Sequence, residues 1–171
     1  QTRISRLHIN PSNTSIITAS TYQGMYRSVN GGQSWSIVQN GAFNALVQKP
    51  GNSNILYASS QSGSNNRIYI SINAGATWTL VSHPNLPTSG NRRLELAVTA
   101  DDSNYVYALY GASNNGFLGI YRSTDGGTTW NTVLEGTNAT YTDIEVSESG
   151  VLFATIQAGT ANSGIFRSTD G

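Results

Sequence analysis

One eight-residue pattern occurs three times in this chain and begins a fourth time. It reads Ser, then Asn or Asp two residues on, Gly four on and Trp seven on. The complete copies are Ser28-Val29-Asn30-Gly31-Gly32-Gln33-Ser34-Trp35, Ser71-Ile72-Asn73-Ala74-Gly75-Ala76-Thr77-Trp78 and Ser123-Thr124-Asp125-Gly126-Gly127-Thr128-Thr129-Trp130. The last copy opens at Ser168-Thr169-Asp170-Gly171. All three Trp of the chain stand at the same motif position. Each residue type suits a tight turn between two strands. The Asn or Asp side chain accepts hydrogen bonds from nearby backbone N–H groups, and the Gly takes positive φ without a Cβ clash. The Ser hydroxyl ties strand end to turn. The Trp covers the hairpin with apolar surface and needs one acceptor for its indole N–H.

The copies start at 28, 71, 123 and 168, steps of 43, 52 and 45 residues. A period of about 40–50 residues built from strands is that of a four-stranded propeller blade. Each repeat opens on a short apolar or alternating run: Arg6 to Ile9, Phe43 to Val47, Leu94 to Val98, Tyr141 to Val146. A turn rich in Pro, Asn, Gly, Ser or Asp follows, then a second run: Ile16 to Ala19, Ile55 to Ala58, Val106 to Leu109, Val151 to Ala154. A third run ends at the motif Ser, and a fourth starts at the motif Trp. These runs are short, β-branched or aromatic, and bounded by turn residues; none keeps a helical period. The expected fold is all-β: a partial propeller of four consecutive four-stranded blades, near residues 3–40, 41–82, 92–135 and 140–171, the last incomplete.

Composition removes several functions. Charged residues are 11% of the chain and the formal net charge is zero, so neither nucleic acid nor an anionic membrane is expected as partner. No apolar run is long enough to insert into a membrane. Cysteine is absent and His8 and His83 are the only histidines, so no cofactor and no metal are expected. The surface polarity must come from Ser, Thr, Asn, Gln and Gly, which suits a secreted or cell-surface protein.

The complete motifs resemble Asp-boxes, also called BNR repeats, of sialidase-like and sortilin-like propellers. The wider pattern includes Asn10-Pro11-Ser12-Asn13 before Ile16-Ile17, Gly51-Asn52-Ser53-Asn54 before Ile55-Leu56-Tyr57-Ala58, and Gly119-Ile120-Tyr121-Arg122 before the third motif. It is similar to repeats of sortilin (VPS10) domains, of xyloglucanase-type glycoside hydrolases and of secreted Bacteroidetes proteins exported by the type 9 system. Asn30 and Asn73 depart from the Asp of the pattern, and Asn can make the same turn. The structural box residues are thus Ser28, Asn30, Gly32 and Trp35; Ser71, Asn73, Gly75 and Trp78; Ser123, Asp125, Gly127 and Trp130; and Ser168 with Asp170. Their recurrence in every repeat assigns them to structure, since a catalytic site needs one constellation.

Fifteen strands are expected, with the last blade short of one. A ring left open exposes unpaired sheet, so these blades are expected to belong to one larger propeller of about six to ten blades. Its partners would be the remaining blades of the same longer chain; a half-propeller that closes on another chain is the alternative. The motifs lie on one face of the disc. The longer connections, residues 61–66, 83–91, 111–118 and 157–163, lie on the other, as functional loops on a rigid scaffold do. The candidate binding residues of that face and of the inner strands are Tyr22, Arg92, Arg93, Tyr110, Phe117, Tyr141 and Asp143. Two functions remain open. One is a non-catalytic binding and scaffold module for a protein, peptide or glycan. The other is a segment of a glycoside hydrolase whose carboxylates, with Asp143 and Glu95 as candidates, are completed by further blades. The sialidase-like version would draw on Arg3, Arg6, Arg92, Arg93 and Tyr141, but no Arg-Ile-Pro opening is present. Paired acids with one raised pKa would favour the enzyme; an aromatic loop face without them would favour the binder.

Overall fold

The computed structural model describes residues 2–114, 116–136, 140–157 and 164–169. Among them there are fifteen strands and no helix. They form four antiparallel sheets in sequence order. Blade 1 holds β1 (Ile4–Ile9), β2 (Ile17–Thr21), β3 (Gly24–Ser28) and β4 (Ser36–Asn40); blade 2 holds β5 (Phe43–Gln48), β6 (Leu56–Ser60), β7 (Ile68–Ser71) and β8 (Thr79–Leu80). Blade 3 holds β9 (Asn91–Val98), β10 (Val106–Ala112), β11 (Phe117–Ser123) and β12 (Asn131–Glu135); blade 4 holds β13 (Thr140–Val146), β14 (Leu152–Gln157) and β15 (Gly164–Ser168). The first strands are the inner ones: β1 packs beside β5, β5 beside β9 and β9 beside β13.

Each box closes on itself by the same bonds. The Ser hydroxyl donates to the Asn or Asp side-chain oxygen (2.9, 3.0 and 2.8 Å) and accepts the N–H of Gly32, Gly75 or Gly127 (2.9, 2.9 and 2.7 Å). The same Asn or Asp oxygen accepts the N–H of Ser34, Thr77 or Thr129 at 2.8–2.9 Å. The second contact to that residue's hydroxyl reverses with the chemistry. Asn30 Nδ2 and Asn73 Nδ2 donate to Ser34 Oγ and Thr77 Oγ1, whereas Thr129 Oγ1 donates to Asp125 Oδ2. This is why Asn serves where the pattern has Asp. The position after Asn or Asp sits in the left-handed region in all three boxes: Gly31 at φ 69°, Ala74 at 53° and Gly126 at 73°.

The core lies between blades. Met25, Leu56, Ala58 and Trp78 close the first interface. Tyr57, Ile68, Ala108, Tyr121 and Trp130 close the second. Leu109, Ile120, Ile144 and Ala154 close the third. Burying this apolar surface is the main driving term for stacking the sheets. Turns are tied across blades as well: Asn10 Nδ2 donates to Ser53 O at 3.0 Å and Lys49 Nζ to Asn104 Oδ1 at 2.7 Å.

Candidate functional site

Backbone bonds separate the two faces of the disc. The boxes join the turns after the first strands: Gly31, Ala74 and Gly126 donate to Ser15, Asn54 and Asn104 carbonyls. On the other face Asn91 donates its N–H to Ser64 O, Ser113 donates to Gly90 O, and Asn65 bridges Asn91. The second-to-third loops and the blade 2–3 connection therefore meet there. Two buried amides hold them: Asn91 Oδ1 accepts Asn66 N–H at 2.7 Å, and Asn66 Oδ1 accepts Ser62 N–H at 2.7 Å.

These loops border an open cleft of about 400 Å³ whose floor is the inner strands. Arg92, Arg93 and Glu95 of β9, Asn44 of β5, and Arg3 and Tyr22 of blade 1 line it. Arg93 Nε lies 3.2 Å from Glu95 Oε1, and Asn44 Nδ2 donates to the same oxygen at 3.4 Å. Alternation along β9 puts Arg93 and Glu95 on one side, as their spacing of two requires. Burial pushes the Glu95 carboxyl up; Arg93 opposes this and Asp143 adds to it. The Arg3 guanidinium stands 5.1 Å from the Tyr22 ring centre and donates to its hydroxyl at 3.2 Å. That pairing sets an exposed aromatic plate at the rim. Gln61 lines the cleft with a buried Oε1 that has no hydrogen-bond partner among the described residues. Cationic and amide donors, a free amide acceptor and a flat ring make a site for a polar ligand that both gives and takes hydrogen bonds.

Tyr22, Arg92 and Arg93 thus come together in one place. Tyr110 and Phe117 do not join them. Tyr110 is 1% exposed and stands edge-on to Tyr121, with ring centres 5.5 Å apart; Phe117 is 5% exposed in the core between blades 3 and 4. The cause is strand length: β10 runs on to Ala112 and β11 begins at Phe117, so the expected loop 111–118 narrows to its middle and its aromatic ends turn inward. Asp143 is exposed, accepts the N–H of Ile144 at 3.0 Å and does not line the cleft. Tyr141 pairs with Ile156 in β13, and its side chain lies outside what is described. Asp170 and the loop 158–163 also lie outside the described residues. Asn44 and Gln61 were not singled out from sequence; one polar residue on an otherwise apolar inner strand was the signal for Asn44. Among the described residues no three His, Cys, Asp or Glu gather as metal ligands. No helix there is long and apolar enough to cross a membrane.

Comparison with known proteins places the fold. The profile of the family described as sortilin, neurotensin receptor 3 (Sortilin-Vps10) matches residues 23–169. An ancestral GH74 enzyme superposes with a TM-score of 0.76 at 23% identity, over 99% of this chain and 26% of that one. The GH74 enzyme of Niastella koreensis gives 0.66 at 20%, over 96% and 28%. YCF48 from Cyanidioschyzon merolae gives 0.58 at 14%, over 98% and 53%. At these identities the likeness is one of fold. The chain spans about a quarter of the length of the GH74 enzymes. No curated protein sequence matches it.

Proposed function

The chain belongs to the Sortilin-Vps10 family, and from that premise we propose that it is a non-catalytic binding and scaffold module of a secreted or cell-surface propeller. It engages a protein, peptide or glycan through the cleft of Arg3, Tyr22, Asn44, Arg92 and Arg93, and its four blades are an arc of a larger ring. One observation carries the reading. Among the described residues Glu95 is the one carboxylate lining the cleft, and it is already held by Arg93 and Asn44. Hydrolysis of a glycoside calls on two acids flanking the bond, whereas a cleft of donors with an aromatic rim needs none. The test is binding of the chain to immobilised glycan and peptide arrays, beside Tyr22→Ala. The expected result is a discrete set of ligands that Tyr22→Ala loses. Ligands retained in full by Tyr22→Ala would refute the assignment to this cleft.

A second reading has an observation of its own. Burial first, and Asp143 of the neighbouring inner strand second, push the Glu95 carboxyl up, and two carboxyls whose environments differ in this way are what a general acid–base pair requires. On that reading the arc is part of a glycoside hydrolase whose site is completed by other blades.

A further inference from the structure

Each inner strand breaks its regular pairing once, near its start. β1 shifts register between Ile4 and Arg6, β5 between Phe43 and Leu46, β9 between Asn91 and Arg93, and β13 between Tyr141 and Asp143. Each time the inner strand holds one residue more than the second strand beside it. An extra residue of this kind is a β-bulge, which interrupts the alternation of faces and re-aims a side chain. In β9 the extra residue is Arg92, since Asn91 pairs with Ala112 and Arg93 with Gly111. Strict alternation would turn one of two consecutive arginines away from the cleft. With the bulge, Arg92 and Arg93 both line it.

The cleft is therefore cationic in a chain whose formal net charge is zero. The guanidinium groups of Arg3, Arg92 and Arg93 face the carboxyl of Glu95. The three are not equivalent. Arg93 is paired with Glu95, and Arg3 stands over the Tyr22 ring. Arg92 is exposed and makes no ion pair or hydrogen bond among the described residues. The excess charge thus falls on a group with nothing of its own to bind. Much of the remaining lining is amide and hydroxyl, from Asn44, Ser60 and Gln61. Leu94 is the one large aliphatic side chain among the described lining residues, and it is 2% exposed. The lining thus gives no open pocket to an apolar anchor of the kind that carries most peptide and protein contacts.

We propose that the ligand of this cleft is an acidic glycan, with its carboxylate or sulfate group against Arg92 and a sugar ring on Tyr22. The inference rests on the binding reading above and narrows it to one class. A guanidinium offers paired N–H donors that match two oxygens of one oxyanion. Tyr22 is 38% exposed and presents a flat ring for stacking. Sugar hydroxyls donate and accept at once, which suits side-chain amides that do the same. Glu95 repels an anion least where Arg93 already neutralises it, which leaves Arg92 as the anchoring charge.

The test is calorimetric titration with polygalacturonate and its methyl ester, dextran sulfate and dextran, and poly-glutamate. The expected result is binding of polygalacturonate, dextran sulfate or both, which identifies the acidic group. Affinity for the neutral counterpart and for poly-glutamate is at least about tenfold lower, and added salt weakens the binding. Arg92→Gln loses about tenfold, the worth of a charge-assisted hydrogen bond. Arg92 is exposed, so the variant folds, as circular dichroism checks. Lys49→Gln removes the same charge from the opposite face, where Lys49 bonds Asn104, and binds as wild type does. Neutral polysaccharides bound as tightly as acidic ones overturn the inference; the binding reading still stands if Tyr22→Ala weakens them, and falls with it if Tyr22→Ala does not. Poly-glutamate bound more tightly than either acidic polysaccharide overturns the inference in favour of an acidic peptide. No binding of either acidic polysaccharide, an Arg92→Gln that matches wild type, or a Lys49→Gln that loses as much, overturns it equally.

Discussion

Trp130→Ala removes the best-covered residue of the second interface. The indole is fully buried, its Nε1 donates to Gly127 O at 3.0 Å, and it belongs to the cluster that joins Tyr57 and Ile68 of blade 2 to blade 3. A Trp side chain buries about 150–250 Å², which at roughly 25 cal/mol per Å² is an upper bound of about 4–6 kcal/mol. Truncations of this kind cost about 3–5 kcal/mol, and the lost indole hydrogen bond adds about 1 kcal/mol. The expected loss is therefore about 4–5 kcal/mol. Trp35 provides the internal control. It holds the same box position and the same bond to Gly32 O at 3.0 Å, but is 40% exposed. With about three-fifths of the area covered, Trp35→Ala should cost about 2–3 kcal/mol. Urea unfolding followed by far-UV circular dichroism measures both. A loss below about 1 kcal/mol for Trp130→Ala, or equal losses at the two sites, would refute the claim that the neighbouring blade sets the worth of the box Trp.

Three further outcomes follow from the boxes. A Cβ at Gly75 would stand 2.7 Å from Thr18 Oγ1 of blade 1, whereas one at Gly31 meets nothing within 4 Å; Gly31→Ala should cost only the left-handed backbone term of about 1–2 kcal/mol, and Gly75→Ala clearly more in the same urea assay. Trp78 Nε1 is buried with no partner among the described residues, so Trp78→Phe should cost less than Trp130→Phe by about 1–3 kcal/mol, since it removes a stranded donor and the other breaks a bond. Asp125 is slightly desolvated, which raises its carboxyl, but the Thr129 N–H and hydroxyl, the Ser123 hydroxyl and the Thr128 N–H outweigh this and pull it down to about 2. Because the folded value lies below that of a free aspartate, the third box contributes stability above the ordinary carboxylate range and loses it as pH falls towards about 2. Exposure keeps the effect small, and Asp125→Asn, making the bonds of Asn30 and Asn73, should remove the dependence with little loss at pH 7, as melting curves across this range would show.

What could be read from the residues was whatever is settled within a blade. The box bonds join residues at most four apart, so Ser28, Asn30 and Trp35 announced their turn, and the third strands end at the motif Ser as expected. What depends on the next blade could not be read. Trp35, Trp78 and Trp130 are equivalent locally, yet their exposures differ because blade 1 has no described neighbour on its leading side. Tyr110 and Phe117 looked like rim aromatics until β10 and β11 proved longer and turned them into the core. The cleft was half legible. Alternation in β9 put Arg93 beside Glu95, and Tyr22 ended a strand on the loop face. Asn44 and Gln61 were hidden by a composition in which Ser, Thr, Asn and Gln are everywhere. An Ala opposite an aromatic residue recurs in the second and third strands of each blade, at Ala19 and Tyr26, Ala58 and Tyr69, Ala108 and Tyr121, and Ala154 and Phe166, and only the cross-strand register shows it.

Binding without chemistry is the claim on which the functional account rests, and turnover tests it most directly. The chain is incubated with xyloglucan and other soluble polysaccharides, and new reducing ends are measured beside Glu95→Gln and Asp143→Asn. The account predicts no release above the protein-free control for any of the three. Release by the wild type that both substitutions abolish would contradict it, and would make Glu95 and Asp143 the working carboxylates of a hydrolase.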